Sequence, residues 1–146
     1  MRNTFTRITL ALAFSALAAG SALAQTHLRV GLAEDPDVLD PTLARTYVGR
    51  IVFASFCDKL FDIDDKLNIV PQLALSHETS ADGKTWTFVL RDGLSFHDGK
   101  PVTAEDCAAS LIRWGKRDAM GQLMFTAVES VSGRDAKTLE IKLTRP

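Results

Sequence analysis

The stretch TWTFVLRDGLSFHDGKPVTAED, residues 85–106, decides the fold of this chain. In its first part, Trp86, Phe88 and Leu90 alternate with Thr85, Thr87 and Val89, which is typical of a half-buried antiparallel strand. Its second part contains two of the three Asp-Gly pairs in the sequence, a dipeptide that tolerates positive φ in tight turns. The stretch therefore predicts a strand followed by a tightly turned loop.

A helix is predicted directly after this loop. The hydroxyl of Thr103 can accept from the amide of Asp106, whose carboxylate can reach back to the Thr103 amide, as in a capping box. Beyond the cap, Cys107, Leu111 and Trp114 recur at helical spacing, and Gly115 is expected to end the helix.

The flanking sequence predicts mostly antiparallel strands with helices interspersed, an α+β fold. The expected elements are a strand at residues 27–32, a helix at 44–58, a hairpin at 60–70, a helical turn at 71–74 and a final strand at 138–143. Trp86, Phe96 and Trp114 are expected to pack in the core rather than to form a stacking platform.

The first 24 residues have the pattern of a cleavable secretion signal. A basic start precedes an apolar run over residues 8–19, and residues 22–24 give the small-x-small pattern of a cleavage site. We expect cleavage between Ala24 and Gln25. The apolar run is shorter than a bilayer crossing requires, so a retained anchor is the weaker interpretation.

The charge balance argues against a nucleic-acid partner. Lys and Arg number 17 against 18 Asp and Glu, and no basic cluster occurs. An exported chain would bring Cys57 and Cys107 into an oxidising compartment, where pairing is permitted but not required.

The two cysteines leave three interpretations open: a reactive thiol, small buried apolar residues, or a Cys57–Cys107 disulfide. A nucleophilic thiol needs a neighbouring histidine and a lowered pKa, whereas both cysteines lie among apolar residues. A bridge closing so long a loop could add about 4 kcal/mol in the chain-entropy model. The sequence does not show whether the two residues meet.

His97 beside Asp98 could be a metal ligand or a general base. However, a metal site needs three or four converging ligands, and His27 and His77 fall in separate elements without ligand spacing. The favoured interpretation is local: Asp98 and the following glycine turn the chain, and Pro101 stiffens its exit. We therefore predict no metal site and no catalytic residue.

Several motifs, taken in order, resemble one family. LDPTLAR, CDKLFDIDDKLNIVPQLA, DGKTWTFVLRDGLSFHDGKPVTAEDCAASLIRW and TLEIKL are similar to the N-terminal part of the family 5 extracellular solute-binding proteins. These are the dipeptide- and oligopeptide-binding components of ABC importers. The resemblance runs over residues 28–143 and is most specific over residues 86–114.

The resemblance implies a two-lobed periplasmic protein that closes on its ligand about a hinge and then docks on an inner-membrane permease. Residues 25–146 would be part of the first lobe, with the second lobe absent. The expected ligand is a peptide or another small solute. The expected state is a monomer without a cofactor and without enzymatic activity. The alternative is a small secreted enzyme or thiol-redox domain that uses Cys57, Cys107 or His97.

In the family, the stretch that leads into the first helix borders the ligand cleft. The resemblance therefore implies Arg45, Thr46 and Tyr47 as ligand-binding residues, although Tyr47 could equally pack under the loop. The acidic residues 34–37 could hold an amine or a cation, or form a solvated loop. They lack the spacing of a calcium loop.

Overall fold

The computed structural model describes residues 27–146. The chain divides into two compact units, Met1–Gly31 and Leu32–Pro146, and residues 27–31 of the first unit form neither helix nor strand. The elements of the second unit are α1 (Tyr47–Ala54), β1 (Phe61–Ile63), β2 (Ile69–Pro71), β3 (Ala74–Thr79), β4 (Thr85–Leu90), α2 (Ala104–Arg117), α3 (Ala119–Phe125), β5 (Val128–Gly133) and β6 (Thr138–Leu143).

The strands form two antiparallel sheets. β1 and β2 make a hairpin, and the other four strands form one sheet in the order β3-β4-β6-β5. At its centre, β4 pairs with β6 so that Trp86 lies opposite Ile141 and Phe88 lies opposite Leu139. The predicted α+β class, with antiparallel strands and interspersed helices, is confirmed.

Helix α2 covers one face of the four-stranded sheet and closes the core. Ala104 and Ala108 from the helix and Leu139 from β6 are fully buried, and Leu90 and Cys107 join them. Because these residues come from both layers, the apolar face of β4 and the apolar stripe of α2 stabilise each other.

The predicted Asp-Gly turns and the predicted capping box of α2 are confirmed. The glycines of the three Asp-Gly turns, Gly83, Gly93 and Gly99, all have positive φ. The Thr103 hydroxyl accepts from the Asp106 amide at 3.3 Å, and the Asp106 carboxylate accepts from the Thr103 amide at 2.8 Å. The final strand has the predicted limits.

Helix α2 continues past the predicted stop at Gly115. This glycine is buried inside the helix, and a Cβ placed on it would lie 2.5 Å from ring carbons of Phe125. Its role is therefore to let α3, which the sequence analysis did not predict, pack against α2. The helix ends at Asp118, whose carboxylate accepts from the amides of Met120 and Gly121 and so begins α3.

Two other predicted elements do not form, because their backbone groups do not make the hydrogen bonds that the predictions assumed. Residues 27–32 alternate but form no strand, because alternation needs a partner strand and the described sheets pair other segments. The helical turn predicted at residues 71–74 is replaced by longer-range bonds: the amides of Gln72 and Ala74 donate to the Leu60 carbonyl, and that of Leu73 to Lys59.

The first helix is shorter than predicted, Tyr47–Ala54 instead of residues 44–58. A turn centred on residues 41–43 occupies the first part of the predicted helix.

Of the three aromatic residues assigned to the core, Trp86 and Trp114 are half-buried, but Phe96 is 47 % exposed because it lies in a turn. Among residues 27–146, no helix has both the length and the apolar character of a bilayer crossing.

Candidate functional site

The loop that enters α1, residues 37–46, is called the entry loop below. Thr46 caps the helix: its hydroxyl oxygen accepts from the Gly49 amide at 3.0 Å and donates to Asp37 Oδ1 at 3.1 Å. Asp37 Oδ2 accepts from the Arg45 amide at 3.1 Å. These bonds, first that from the Arg45 backbone, lower the pKa of Asp37 because they favour its charged form.

Gly49 allows the entry loop to lie directly on the first turn of α1. A Cβ at this buried position would lie 3.1 Å from Asp37 Oδ1 and 3.2 Å from both the Ala44 Cβ and the Thr46 hydroxyl oxygen. Asp37 is therefore used to close the loop, which favours a structural role for this part of the acidic stretch over cation binding.

The entry loop presents two of the three predicted ligand-binding side chains to solvent. Arg45 is exposed and has no ion pair with any other described residue, and Tyr47 is 77 % exposed at the first position of α1. Tyr47 therefore does not pack under the loop. The Thr46 hydroxyl, by contrast, already donates its hydrogen bond to Asp37, so it can bind a ligand only as an acceptor.

A depression of about 390 Å³ lies beside this segment. It is lined by Pro41 and Ala44 of the entry loop and by Arg50, Phe53 and Cys57, together with neighbouring residues. The exposed guanidinium of Arg45, the phenol of Tyr47 and the first two amides of α1, which have no intrahelical acceptor, can bind carboxylate and carbonyl groups. We call Arg45, Thr46 and Tyr47 the candidate segment.

His97 lies on the wall of a second, open groove of about 870 Å³, with Phe56, Phe61, Phe96 and Cys107. Its neighbour Asp98 is committed to the turn, since its carboxylate accepts from the Lys100 amide at 3.1 Å and pairs with the Lys100 ammonium at 2.9 Å. Lys100 also lowers the pKa of Asp98. Asp98 is thus occupied locally instead of orienting His97 as an acid–base partner.

His77 and His97 lie on different parts of the second unit, on β3 and in the loop before α2. His77 lies on β3 and stacks on Trp86, with ring centroids 6.0 Å apart. Over the described part of the chain, no cluster of three or more His, Cys, Asp or Glu side chains could hold a metal ion.

Both cysteines are free thiols in the structure, with Cys107 buried in the core and Cys57 half-buried after α1. Burial, with a smaller contribution from the adjacent Asp58 or Asp106, raises the pKa of each thiol. A raised pKa lowers the thiolate fraction, which is the opposite of what a nucleophilic or redox cysteine needs. The thiol-redox alternative therefore has no support from the geometry.

The sequence analysis missed one long-range contact at this site. The Arg113 guanidinium of α2 binds the Asp40 carboxylate through both of its oxygens. The only local signals were an Asp-Pro pair that favours a turn and an arginine on a helix. Their separation of 73 positions hides the pairing from single-sequence reasoning. The predicted cleavage point, Ala24 and Gln25, lies outside the described residues.

The fold matches that of periplasmic binding proteins. The Escherichia coli murein tripeptide binding protein MppA shares it, with 28% identity, a TM-score of 0.68 and coverage of 79% of this chain and 26% of its own. The binding protein MoaA of A. tumefaciens R10, solved with mannopinic acid, aligns with 34% identity, the same TM-score, and coverage of 77% of this chain and 24% of its own.

The profile of the bacterial extracellular solute-binding proteins, family 5 Middle, matches residues 68–146, and the chain belongs to this family. A probable peptide ABC transporter periplasmic-binding protein of Sinorhizobium fredii, y4tO, is 37% identical over 113 residues, which is 77% of this chain and 21% of the relative. The chain thus spans between a fifth and about a quarter of the length of these proteins.

Proposed function

We propose that this chain is part of a periplasmic protein that captures peptides or similar small solutes and delivers them to an ABC permease in the inner membrane. Membership of the solute-binding family carries this proposal. The similar proteins include a probable peptide transporter component and a murein tripeptide binding protein, which favour peptides, whereas MoaA with mannopinic acid extends the solute class beyond them.

In this proposal, residues 1–24 are a secretion signal and residues 25–146 form part of the first lobe. Closure of two lobes about a hinge would enclose the solute, and the closed form would dock on the permease. The protein would act as a monomer. Capture and release need no chemical step, so the proposal requires neither a nucleophile nor a cofactor.

The candidate segment supplies the contacts of this lobe. The guanidinium of Arg45 suits a peptide carboxylate, and the ring of Tyr47 suits an apolar side chain while its hydroxyl can bond a carbonyl. Both side chains are exposed at the start of α1, which supports their availability to a ligand.

The test is isothermal titration calorimetry of the full-length protein with triglycine, trialanine and glutathione. We expect saturable binding of at least one probe. Arg45→Ala and Tyr47→Ala should each weaken it by about tenfold, a loss typical of one well-placed polar contact. Lys66→Ala, at the exposed turn of the β1–β2 hairpin, is the matched control and should bind as the wild type does.

Two results would contradict the proposal. Absence of binding to every probe would remove the peptide assignment, and wild-type affinity in both variants would remove the candidate segment. Residues 25–146 alone should bind more weakly than micromolar, because in a two-lobed protein the other side of the cleft comes from the second lobe. Micromolar binding by this piece would contradict the two-lobed mechanism.

A further inference from the structure

Asp40 organises the middle of the entry loop. Its side-chain Oδ1 accepts from the Thr42 amide at 2.9 Å, and its backbone carbonyl accepts from the amides of Leu43 and Ala44 at 3.1 and 2.8 Å. These bonds form a tight turn that leads directly to Arg45. The position of this turn therefore sets where the candidate segment begins.

Arg113 connects this turn to helix α2. Its Nη1 donates to Asp40 Oδ1 at 3.0 Å and its Nη2 donates to Asp40 Oδ2 at 2.5 Å, which is a two-pronged pair. Nη1 also donates to the Thr42 hydroxyl at 2.5 Å. The planar guanidinium thus binds two residues of one turn, which the single ammonium of a lysine cannot reproduce.

The helix that carries Arg113 contributes to the buried core cluster, whereas the entry loop contributes no residue to it. Helix α2 packs on the sheet through Cys107 and Ala108, and on α3 through Gly115. Among the described elements, α1 has no extensive packing against another helix or strand. The bonds from Asp37 stay within the loop and α1, so they shape the loop without attaching it to the core.

We propose that Arg113 is a positioning residue for ligand binding: it holds the Asp40 turn on α2 and thereby fixes the candidate segment, without itself touching the ligand. This inference rests on the proposed function for its consequence on affinity. The attachment itself can be measured without any ligand. Removal of the guanidinium should leave the local turn intact but allow it to leave α2 more often.

The first experiment is hydrogen exchange of the Leu43, Ala44 and Arg45 amides in the complete protein. Arg113→Ala should accelerate their exchange by about three- to tenfold, as expected for the loss of a two-pronged ion pair on a surface loop. The Leu90 amide, bonded to the Lys137 carbonyl in the core, should exchange as before. Arg117→Ala, on the exposed end of the same helix, is the matched control.

Asp40→Asn provides an independent variant, because the amide oxygen can still accept from the Thr42 backbone while the charge is lost. It should match Arg113→Ala, and the double variant should be no worse than either single one. Arg113→Lys should show an intermediate effect. Unchanged exchange in Arg113→Ala, or fully additive effects in the double variant, would overturn the attachment.

The second experiment measures affinity for whichever of triglycine, trialanine and glutathione the wild type binds. Arg113→Ala should weaken that affinity by about three- to tenfold while the urea midpoint of the protein stays within error of Arg117→Ala. Faster exchange with unchanged affinity would overturn the positioning role. If the wild type binds no probe, the peptide assignment of the proposed function fails, and the exchange experiment still decides whether Arg113 holds the loop.

Discussion

The segment from β4 to α2 and the entry loop are both short and turn-rich, and both contain aspartates, but they are held in different ways. In the first segment, the capping box joins residues three positions apart, and Asp98 bonds the backbone two residues on. In the entry loop, Asp37 reaches eight and nine residues along the chain, and Asp40 pairs with a residue 73 positions away.

This difference explains why the two regions have different functional meaning. The carboxylates of Asp98 and Asp106 serve a turn and a cap, and that of Asp92 pairs with Lys137, so the region that most resembles a reactive loop is a structural joint. The entry loop instead keeps Arg45 exposed and leads to the exposed Tyr47, and the described side-chain hydrogen bonds between the loop and α2 all come from the Arg113 guanidinium. We test this contrast between local and long-range bonding with variants of each region, beginning with the core on which both regions depend.

The largest effect is expected from Leu139→Ala in β6. Leu139 is fully buried between the sheet and α2, so the truncation removes apolar burial and leaves a cavity. We expect the free energy of unfolding to fall by about 2–5 kcal/mol, measured by urea denaturation. Ile69→Ala, at a strand position that is 76 % exposed, should change it by less than about 0.5 kcal/mol. Equal effects would mean that the core lies elsewhere.

Gly115→Ala should have the next largest effect. The new methyl group would meet the Phe125 ring, so α3 must shift away from α2. We expect a loss of about 1–3 kcal/mol in the free energy of unfolding. Lys116→Ala, at the next and exposed position of the same helix, controls for general changes in the helix. A neutral or stabilising Gly115→Ala variant would show that α3 does not pack as described.

Thr103→Ala tests the local side of the comparison directly. The substitution removes the cap of α2 and leaves the Asp106 amide without its acceptor. We expect a loss of about 1 kcal/mol, with recovery in Thr103→Ser, which retains the hydroxyl. A serine variant as unstable as the alanine variant would argue against the cap. Exchange at Leu43 and Ala44 should stay unchanged, because the entry loop is attached through Arg113.

The pH dependence tests the long-range side and is the smallest effect. Arg113 lowers the pKa of Asp40 from 3.8 to about 2. Because the folded chain binds this proton more weakly than the unfolded chain, the stabilisation is fully present above about pH 4. It is lost as the pH falls toward 2. The difference in exchange of the Leu43 and Ala44 amides between the wild type and Asp40→Asn, compared at the same pH, should shrink over this range, and a constant difference would contradict the ion pair.

The sequence by itself determined the elements whose signals are local. Alternation fixed β4 and β6, the Asp-Gly pairs fixed the turns, and Thr103 with Asp106 fixed the start of α2. These features depend on backbone preferences and on hydrogen bonds between near neighbours, so a single sequence contains them.

Only the tertiary structure decided the rest. Gly115 was expected to end a helix, but the approach of Phe125 makes it an interior packing position. Residues 71–74 join the backbone of residues 59 and 60 instead of forming a helical turn. The pairing of Asp40 with Arg113 places the entry loop on α2. Each of these depends on which distant residues the folded chain brings together, and periodicity and spacing contain no information about that choice.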